Sequence, residues 1–585
     1  MITALPFQYT LTHAVRMPLR QTYCTRGAFQ YTLTHAFRIV LCLIAIVVFF
    51  HQAQISVAQP RLLWEARYNG TADGDDFGRA MSVDAEGNVY MAGSAMNAGT
   101  GRDFTVVKYN SFGQFVWSVS YDASLNEDDW AHALVMDTRG FIYATGFCQT
   151  KDEGKNFLTM KCNREGDVLW VREYNGPAGG NDVAEHIAVD EAGNVFVTGS
   201  SQGHASSSDY MTLMYDSEGQ LQWEARYNGP GNGVDEARSI AVDPNGGVCV
   251  SGGSTGVNGD YDIATIKYDQ FGQVQWIARY DGPGNGDDIV YYKGAVVIDE
   301  QACVYVAGYS VGLDSSIDYA TIKYNADGEL LWVARYANPA GTADYANTIA
   351  LDREGNVYTS GGSDNVGSGV DFLTLKYSPD GIMLWKAEYN GAANDWDEAY
   401  ALLIDDSLNV YVAGRSVGVA SSADMVVVKY NEHGEMLWEA RHEQAKGYDW
   451  PFAICRDAEG DIYVGGYGYA FSNSPRGADF LILKYTERAT NSSSYPLPRP
   501  FNLEAQLHYP STSPLVVSFT LPAHANVTMS MHDLTGRMYT SLESVAVAPG
   551  THVWYIDVTD YPSGIYVLVL RAGTARESAK ITILR

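Results

Sequence analysis

WEARYNGPGNGVDEARSIAVDPNGGVCVSGGS, running from Trp223 to Ser254, decides the fold of this chain. Read on to Tyr280, it resolves into short strands punctuated by turns. Arg238–Val242 is an apolar run that ends in the turn D-P-N-G. Val248–Ser251 is a second strand, followed by a Gly-rich stretch to Asp260. Asp262–Tyr268 alternates, D-Q-F-G turns the chain, and Val274–Tyr280 forms a fourth strand. Turn residues at fixed offsets and a period of two, with no helical period, spell four strands per unit, which is a propeller blade.

The unit repeats. Trp64, Trp117, Trp170, Trp223, Trp276, Trp332, Trp385 and Trp438 follow one another at 53 residues, with a single gap of 56 between Trp276 and Trp332. A Lys-Tyr pair marks the third strand at Lys108, Lys267, Lys323, Lys376, Lys429 and Lys484, varied to Lys161-Cys162 and Met214-Tyr215. Leu62–Tyr68 is a fourth strand with no first three before it, and Phe452–Tyr485 holds three strands with no fourth after it. The first strand is therefore expected to complete the last blade, which removes open edges. The expected fold is all-β: an eight-bladed propeller over residues 61–485, with a seven-bladed ring as the alternative. The alternation of the third strand predicts Tyr inward and Lys outward.

The quoted repeat resembles the β-propeller repeat of secreted bacterial proteins. That resemblance covers residues 61–485 and implies a fold and a secreted setting, not a reaction.

Composition agrees. There are 58 glycines and 40 tyrosines, as many short strands and tight turns require. The net charge is −30, and since residues 1–58 carry four arginines and no acid, the remainder stands at −34. Such a surface repels phosphate backbones, so nucleic acid is not expected as a partner. Cys148, Cys162, Cys249, Cys303 and Cys455 are an odd number without short spacing and read as buried free thiols.

Residues 1–58 read as a leader. Arg38 precedes twelve apolar residues, Ile39–Phe50, too few to span a bilayer, and Ser56-Val57-Ala58 supplies a cleavage pattern. The expectation is a signal peptide cut after Ala58, with no membrane span remaining. FQYTLTHA occurs at Phe7–Ala14 and again at Phe29–Ala36, so residues 1–30 read as a mis-assigned start, with Met17 or a later codon as the true one.

After Tyr485 the composition shifts to a Ser/Pro linker, residues 486–500, and then to short strands over 501–585, a small β-sandwich: Leu515–Leu521, Val527–His532, Val553–Val558, Ile565–Leu570 and Ala579–Leu584. Pro500-Phe-Asn502, FTLP at Phe519, DLTGR at Asp533, Gly550, Trp554, PSGIY at Pro562 and the terminal Lys580–Arg585 resemble the C-terminal sorting domain of type IX secretion. Arg499 stands where that family has Asn, and residues 503–510 read as an insertion. The resemblance implies the type IX machinery as partner, passage through the periplasm, and an extracellular or outer-surface destination. It places recognition on Gly536, Arg537, Gly564, Tyr566 and Lys580.

The eight copies serve as an internal alignment. One aspartate precedes each inner strand: Asp76, Asp129, Asp182, Asp235, Asp288, Asp344, Asp397 and Asp449. A second set closes that strand, and a third opens the third strand, with Asn156 in its place in blade two. Short carboxylates accept backbone N–H bonds in turns, which is the preferred reading; the functional one is a ring of Ca²⁺ ligands at one mouth. The position after the first aspartate varies: Phe77, Trp130, Val183, Glu236, Ile289, Tyr345, Glu398, Trp450. In a closed ring Trp450, Phe77 and Trp130 are neighbours, extended by Trp396 and Tyr345, and aromatics beside carboxylates suit a sugar or a protein surface. No H-E-x-x-H, Walker or dinucleotide motif occurs. The expected function is a non-enzymatic binding scaffold. The alternative is a lyase, glycosidase or quinoprotein-like enzyme using mouth carboxylates, and a strongly perturbed carboxylate pair or histidine in the channel, which the binding reading does not expect, would favour it.

Overall fold

The computed structural model describes residues 59–488, apart from 124–126, 152–153, 205, 420–421, 444–446 and 470–476, together with strands and some turns of 502–583. The leader and most of the linker lie outside the described residues.

Residues 59–488 form eight antiparallel sheets among the described residues, seven of four strands and one whose inner strand is in two pieces, each running inner, second, third, outer. The unit met at Trp223 contributes Asp235–Val242, Val248–Thr255, Tyr261–Tyr268 and Val274–Tyr280. Each inner strand packs against the next, and the last against the first, so the sheets close a ring. Closure is by the N-terminal strand. Arg61–Tyr68 pairs with Ala478–Thr486, bringing Tyr68 opposite Phe480, and Arg67 donates to the Gly468 carbonyl at 3.0 Å. His442, on the preceding sheet, bridges Glu65 at 3.2 Å and Asp449 at 3.3 Å across the same seam.

The tryptophans explain the period. Seven of the eight indoles cross to the next sheet and donate Nε1–H to a carbonyl in its third-to-fourth turn, from Trp64 to Ser111 (3.1 Å) round to Trp385 to Glu432 (2.9 Å). Beneath each of the seven lies that turn's glycine, as Gly113 lies under Trp64, and a Cβ at Gly113 would meet the ring at 2.6 Å. Gly113 has φ +75°, so both the turn and the indole require glycine here.

The lysines are corrected. The alternation does place Tyr inward, with Tyr109 and Tyr268 buried, but Lys161, Lys267, Lys376, Lys429 and Lys484 are buried as well. A third strand has a neighbouring sheet on each face, so outward is not toward water. Lys108, Lys161 and Lys323 donate to the carbonyls their blades' tryptophans use, those of Arg164, Ser217 and Pro379. Their ammonium groups lie 4.8–5.1 Å from tyrosine rings of the second strands. The five cysteines among the described residues are all free, but Cys303 and Cys455 are only half-buried.

The last sheet has no third-to-fourth turn, because its fourth strand comes from the other end of the chain. Glu487 takes the turn's place. Its carboxylate accepts Trp438 Nε1 (2.6 Å), Lys429 Nζ (2.6 Å) and Tyr411 Oη (3.0 Å).

The C-terminal part has a three-stranded sheet, Asn502–Gln506, Leu515–Leu521 and Gly550–Ile556, and a four-stranded one, Met538–Val547, Ala525–Asp533, Gly564–Ala572 and Ala575–Ile583. Val517, Phe519, Met529, Met531, Leu568 and Ile581 are among its core. Asn502–Gln506 and Met538–Val547 go beyond the strands read from sequence: the first pairs where an insertion was expected, and the second is polar enough to read as loop.

Glu487→Ala leaves Lys429 buried without a counter-charge and should cost about 2–3 kcal/mol, at the lower end for a broken buried pair because Glu487 is partly exposed. Denaturant unfolding measures it, and Glu432→Ala, whose carboxylate is exposed, should stay within roughly 0.5 kcal/mol of the parent.

Candidate functional site

The inner strands build the site. Seven of them carry a bulge at one repeated position, occupied by Arg79, His132, Glu185, Arg238, Asn347, Tyr400 and Phe452. A bulge leaves its residue out of the ladder. These side chains meet round the ring axis. Phe452 packs against Tyr400, rings tilted at 46° and 5.8 Å apart, and lies under the Arg79 guanidinium at 4.9 Å; His132 is 3.4 Å from Glu185, and Arg238 3.1 Å from Glu185.

The fifth sheet breaks the pattern. Its inner strand is in two pieces, Asp288–Ile289 and Val296–Ile298, and the three extra residues of the 56-residue gap fall between them. This insert crosses the channel. Lys293 Nζ donates to the His132 carbonyl at 2.7 Å and lies 3.8 Å from Glu185, while Tyr292 packs edge-on against Tyr400 at 5.6 Å. It thus touches the second, third and seventh sheets.

The channel groups are strongly perturbed, contrary to the expectation from sequence. Burial pulls Lys293 down to about 7 and His186 to about 4. Burial pushes Glu185 up, but His132, Lys293 and Arg238 outweigh it and hold the carboxyl well below its usual range. The sequence signal was the 56-residue gap, which marked an insertion without saying where in the blade it fell.

Above this ring lie the aromatics. Phe77 and Trp130 stack at 5.4 Å and 12° between planes; Phe77 meets Tyr467 at 4.8 Å, and Tyr467 meets Trp450 at 5.5 Å. Tyr467, a second-strand residue absent from the sequence reading, joins the three. Arginines cap the series: Arg102 over Phe77 and Trp130, Arg415 over Trp396 (5.1 Å) and Trp450 (4.9 Å). Trp396 is 43% exposed, while Phe77, Trp130, Tyr345 and Trp450 are half-buried. Tyr345 lies beside Gly362, where a Cβ would meet its ring at 2.8 Å. Glu398 accepts from Tyr400 Oη (2.7 Å) and Trp396 Nε1 (3.1 Å), with Arg415 3.4 Å away. Beside Trp130 a cavity of ≈ 470 Å³ is lined by Arg79, His132, Phe147, Lys155 and Glu185 among others. At the far end of the inner strands a second, of ≈ 480 Å³, lies among Val83, Met136, Ile404 and Ile454.

The eight first aspartates are all fully buried, each beneath its own loop. Asp76 accepts Gly70 N–H at 2.8 Å and Asp235 accepts Gly229 and Thr255 N–H at 2.7 and 3.0 Å; Asp129, Asp182, Asp288, Asp344 and Asp397 bind loop amides likewise, and Asp449 meets His442. In the C-terminal sheets Tyr566 is buried and donates to the Pro562 carbonyl at 2.8 Å, Arg537 lies over the Tyr539 ring, and Lys580 is exposed on the last strand. Gly564 opens the adjacent strand; Gly536 lies outside the described residues.

Residues 169–204 match the model of the β-propeller repeat family. No curated protein matches the chain. Among solved structures, PorZ, a surface component of the type IX secretion system of Porphyromonas gingivalis, aligns at 13% identity over 88% of this chain and 75% of its own, with TM-score 0.31. A copper-bound fungal alcohol oxidase aligns at 12% identity over 90% and 100%, TM-score 0.39, and the WD40 domain of SCAP from fission yeast at 8% over 74% and 96%, TM-score 0.38. The fold is a β-propeller built from repeats, one of which matches that family model. Among the described residues no helix is long and apolar enough to cross a membrane.

An amine titrating near 7 is largely neutral at pH 7.5, where an ordinary lysine near ~10.4 is almost wholly charged. Brief acylation at that pH should therefore modify Lys293 ahead of Lys386, whose ammonium is held by Glu388 and Tyr336. Peptide mass mapping reads the order.

Proposed function

We propose that this chain is a secreted, non-enzymatic scaffold that binds a glycan or a protein surface through the aromatic mouth of its propeller. The observation that carries the reading is the Phe77–Trp130 stack under Arg102, beside exposed Trp396 and the cavity at Trp130. Flat rings beside polar groups suit a sugar, whose C–H face stacks while its hydroxyls find acceptors. The perturbed His186 and Lys293 are the feature that favours the enzyme reading, and what weighs against it is that the mouth carboxylates are already engaged. Glu185 is committed to His132 and Arg238, and Glu398 to Tyr400, Trp396 and Arg415, so neither stands ready to pass a proton.

The leader and the C-terminal sandwich support export through the type IX machinery, from periplasm to outer surface or medium, with Gly536, Arg537, Gly564, Tyr566 and Lys580 as the recognition residues. The D-L-T-G-R and P-S-G-I-Y motifs are the basis for that assignment.

Trp130→Ala with Trp396→Ala should weaken binding roughly 30-fold, at ~1 kcal/mol for each stack, with little change in Tm. A glycan and peptide array followed by titration calorimetry measures it. Unfolding of the double variant would instead make these rings core. Deleting Tyr495–Arg585 should leave a folded propeller in the periplasm of a type IX host; cell fractionation checks this, and undiminished secretion would sink the sorting assignment.

A further inference from the structure

Three arginines of the mouth lie over aromatic rings, and two of them have a carboxylate beside them. Arg102, over Phe77 and Trp130, has Asp128 at 3.4 Å; Arg415, over Trp396 and Trp450, has Glu398 at 3.4 Å. Arg79 has none in bonding range. Its guanidinium lies 4.9 Å from the Phe452 ring, 5.5 Å from Trp130 and 5.9 Å from Tyr467, and its Nε is buried without a partner. Among the described residues it is the one half-buried arginine with neither a hydrogen bond nor an ion pair.

The repeat explains why. Arg79 stands at the bulge position, where Arg238 finds Glu185 on the adjacent inner strand at 3.1 Å. The inner strands on either side of Arg79 supply His132 and Phe452 at that position, and neither is an acid. Burial lowers the pKa of Arg79, and Glu185 opposes this only through space, being already engaged with His132 and Arg238.

A second cation faces the same space. Lys155 lies at the start of its third strand, with Nζ 4.1 Å from the Phe147 ring and in no ion pair among the described residues. Arg102 holds the equivalent position one sheet back, and the other six copies place Ser208, Tyr261, Ile317, Val370, Ala423 and Ala478 there. Cations at this position therefore occur only on the sheet of Trp130 and the one before it. Arg79 and Lys155 both line the ≈ 470 Å³ cavity, with Asp128, Trp130, Phe147 and Glu185. Its two acids are taken, Asp128 by Arg102 and Glu185 by Arg238 and His132. The cavity thus keeps two uncompensated positive charges in a chain of net charge −30.

Aromatic faces offset part of a guanidinium's charge, but a buried N–H still needs an oxygen. A carboxylate supplies it, since its two oxygens match the guanidinium fork. We propose that the cavity beside Trp130 binds an acidic sugar: Arg79 takes the carboxylate of a uronate ring, Lys155 adds to the positive field, and Trp130 and Phe147 wall the apolar side of the ring. The occupant is a saccharide on the glycan reading of the mouth, on which this rests. A ring with one carboxylate suits the cavity better than a polyanion, because the overall negative charge of the chain repels a long run of like charges.

The test uses the full chain with the methyl glycosides of galacturonic and glucuronic acid. Their methyl esters serve as uncharged controls and a glutamate-containing peptide as the protein-side probe, read by titration calorimetry and Tm. One of the acids should bind and raise Tm, and its ester should bind at least about tenfold more weakly. Arg79→Gln should bring the acid down to the level of the ester and leave the ester as in the parent. Should that variant fail to fold, Lys155→Gln should still cut the advantage of the acid about threefold. Acid and ester binding alike, and both lost with Trp130→Ala and Trp396→Ala, overturns the acidic-sugar site while leaving the mouth a glycan surface. Arg79-dependent binding of the peptide with no acid sugar bound overturns it too, and gives the mouth to a protein partner. Silence from every probe also overturns it, and the glycan array then decides the wider reading separately.

Discussion

An indole that reaches from one sheet into the turn of the next is the contact on which this ring depends. It joins three requirements in one place: a hydrogen bond from Nε1, a flat apolar face over a glycine, and a turn that needs that glycine for its backbone. The donor and its acceptor turn lie on consecutive repeats, and the three extra residues of the fifth are taken up in its inner strand, so that Trp276 still reaches the Ala326 carbonyl. Lysines from the third strand share three of the same carbonyls, which ties sheet-to-sheet packing to backbone polarity as well as to apolar area.

Most of the ring was legible because it is written many times. The tryptophan spacing, the D-P-N-G type turns and the orphan strand Leu62–Tyr68 each correspond to an element of the structure. The burial of the lysines was not legible, since strand alternation says which face a side chain takes but not what covers that face. Glu487 was equally hidden. It occurs once, beyond the last repeat, and its role appears only when the absent turn of the closing sheet is seen.

The site divides the same way. Phe77, Trp130 and Trp450 were found by comparing one position across copies; the first two stack directly, and Trp450 joins them through Tyr467 from another strand. The bulge position, whose residues meet around the axis, drew no notice because its occupants share no chemistry: Arg, His, Glu, Asn, Tyr and Phe. Variation without a common property hides a cluster assembled from one side chain per repeat, and an irregular spacing is the one sequence mark of the Lys293 insert that reaches into it.

Closure by the first strand has a consequence for cooperativity. In an open array the end units lose one interface when they unfold; in a ring every unit is interior, so opening any sheet breaks two interfaces and exposes two edges. Sub-global opening is suppressed relative to a linear solenoid of the same repeats. The cost falls on kinetics. Arg67 finds Gly468 401 residues away, a loop whose entropy must be lost before the seam's contacts reward it. Until the far end of the chain arrives, the first strand has no sheet to join.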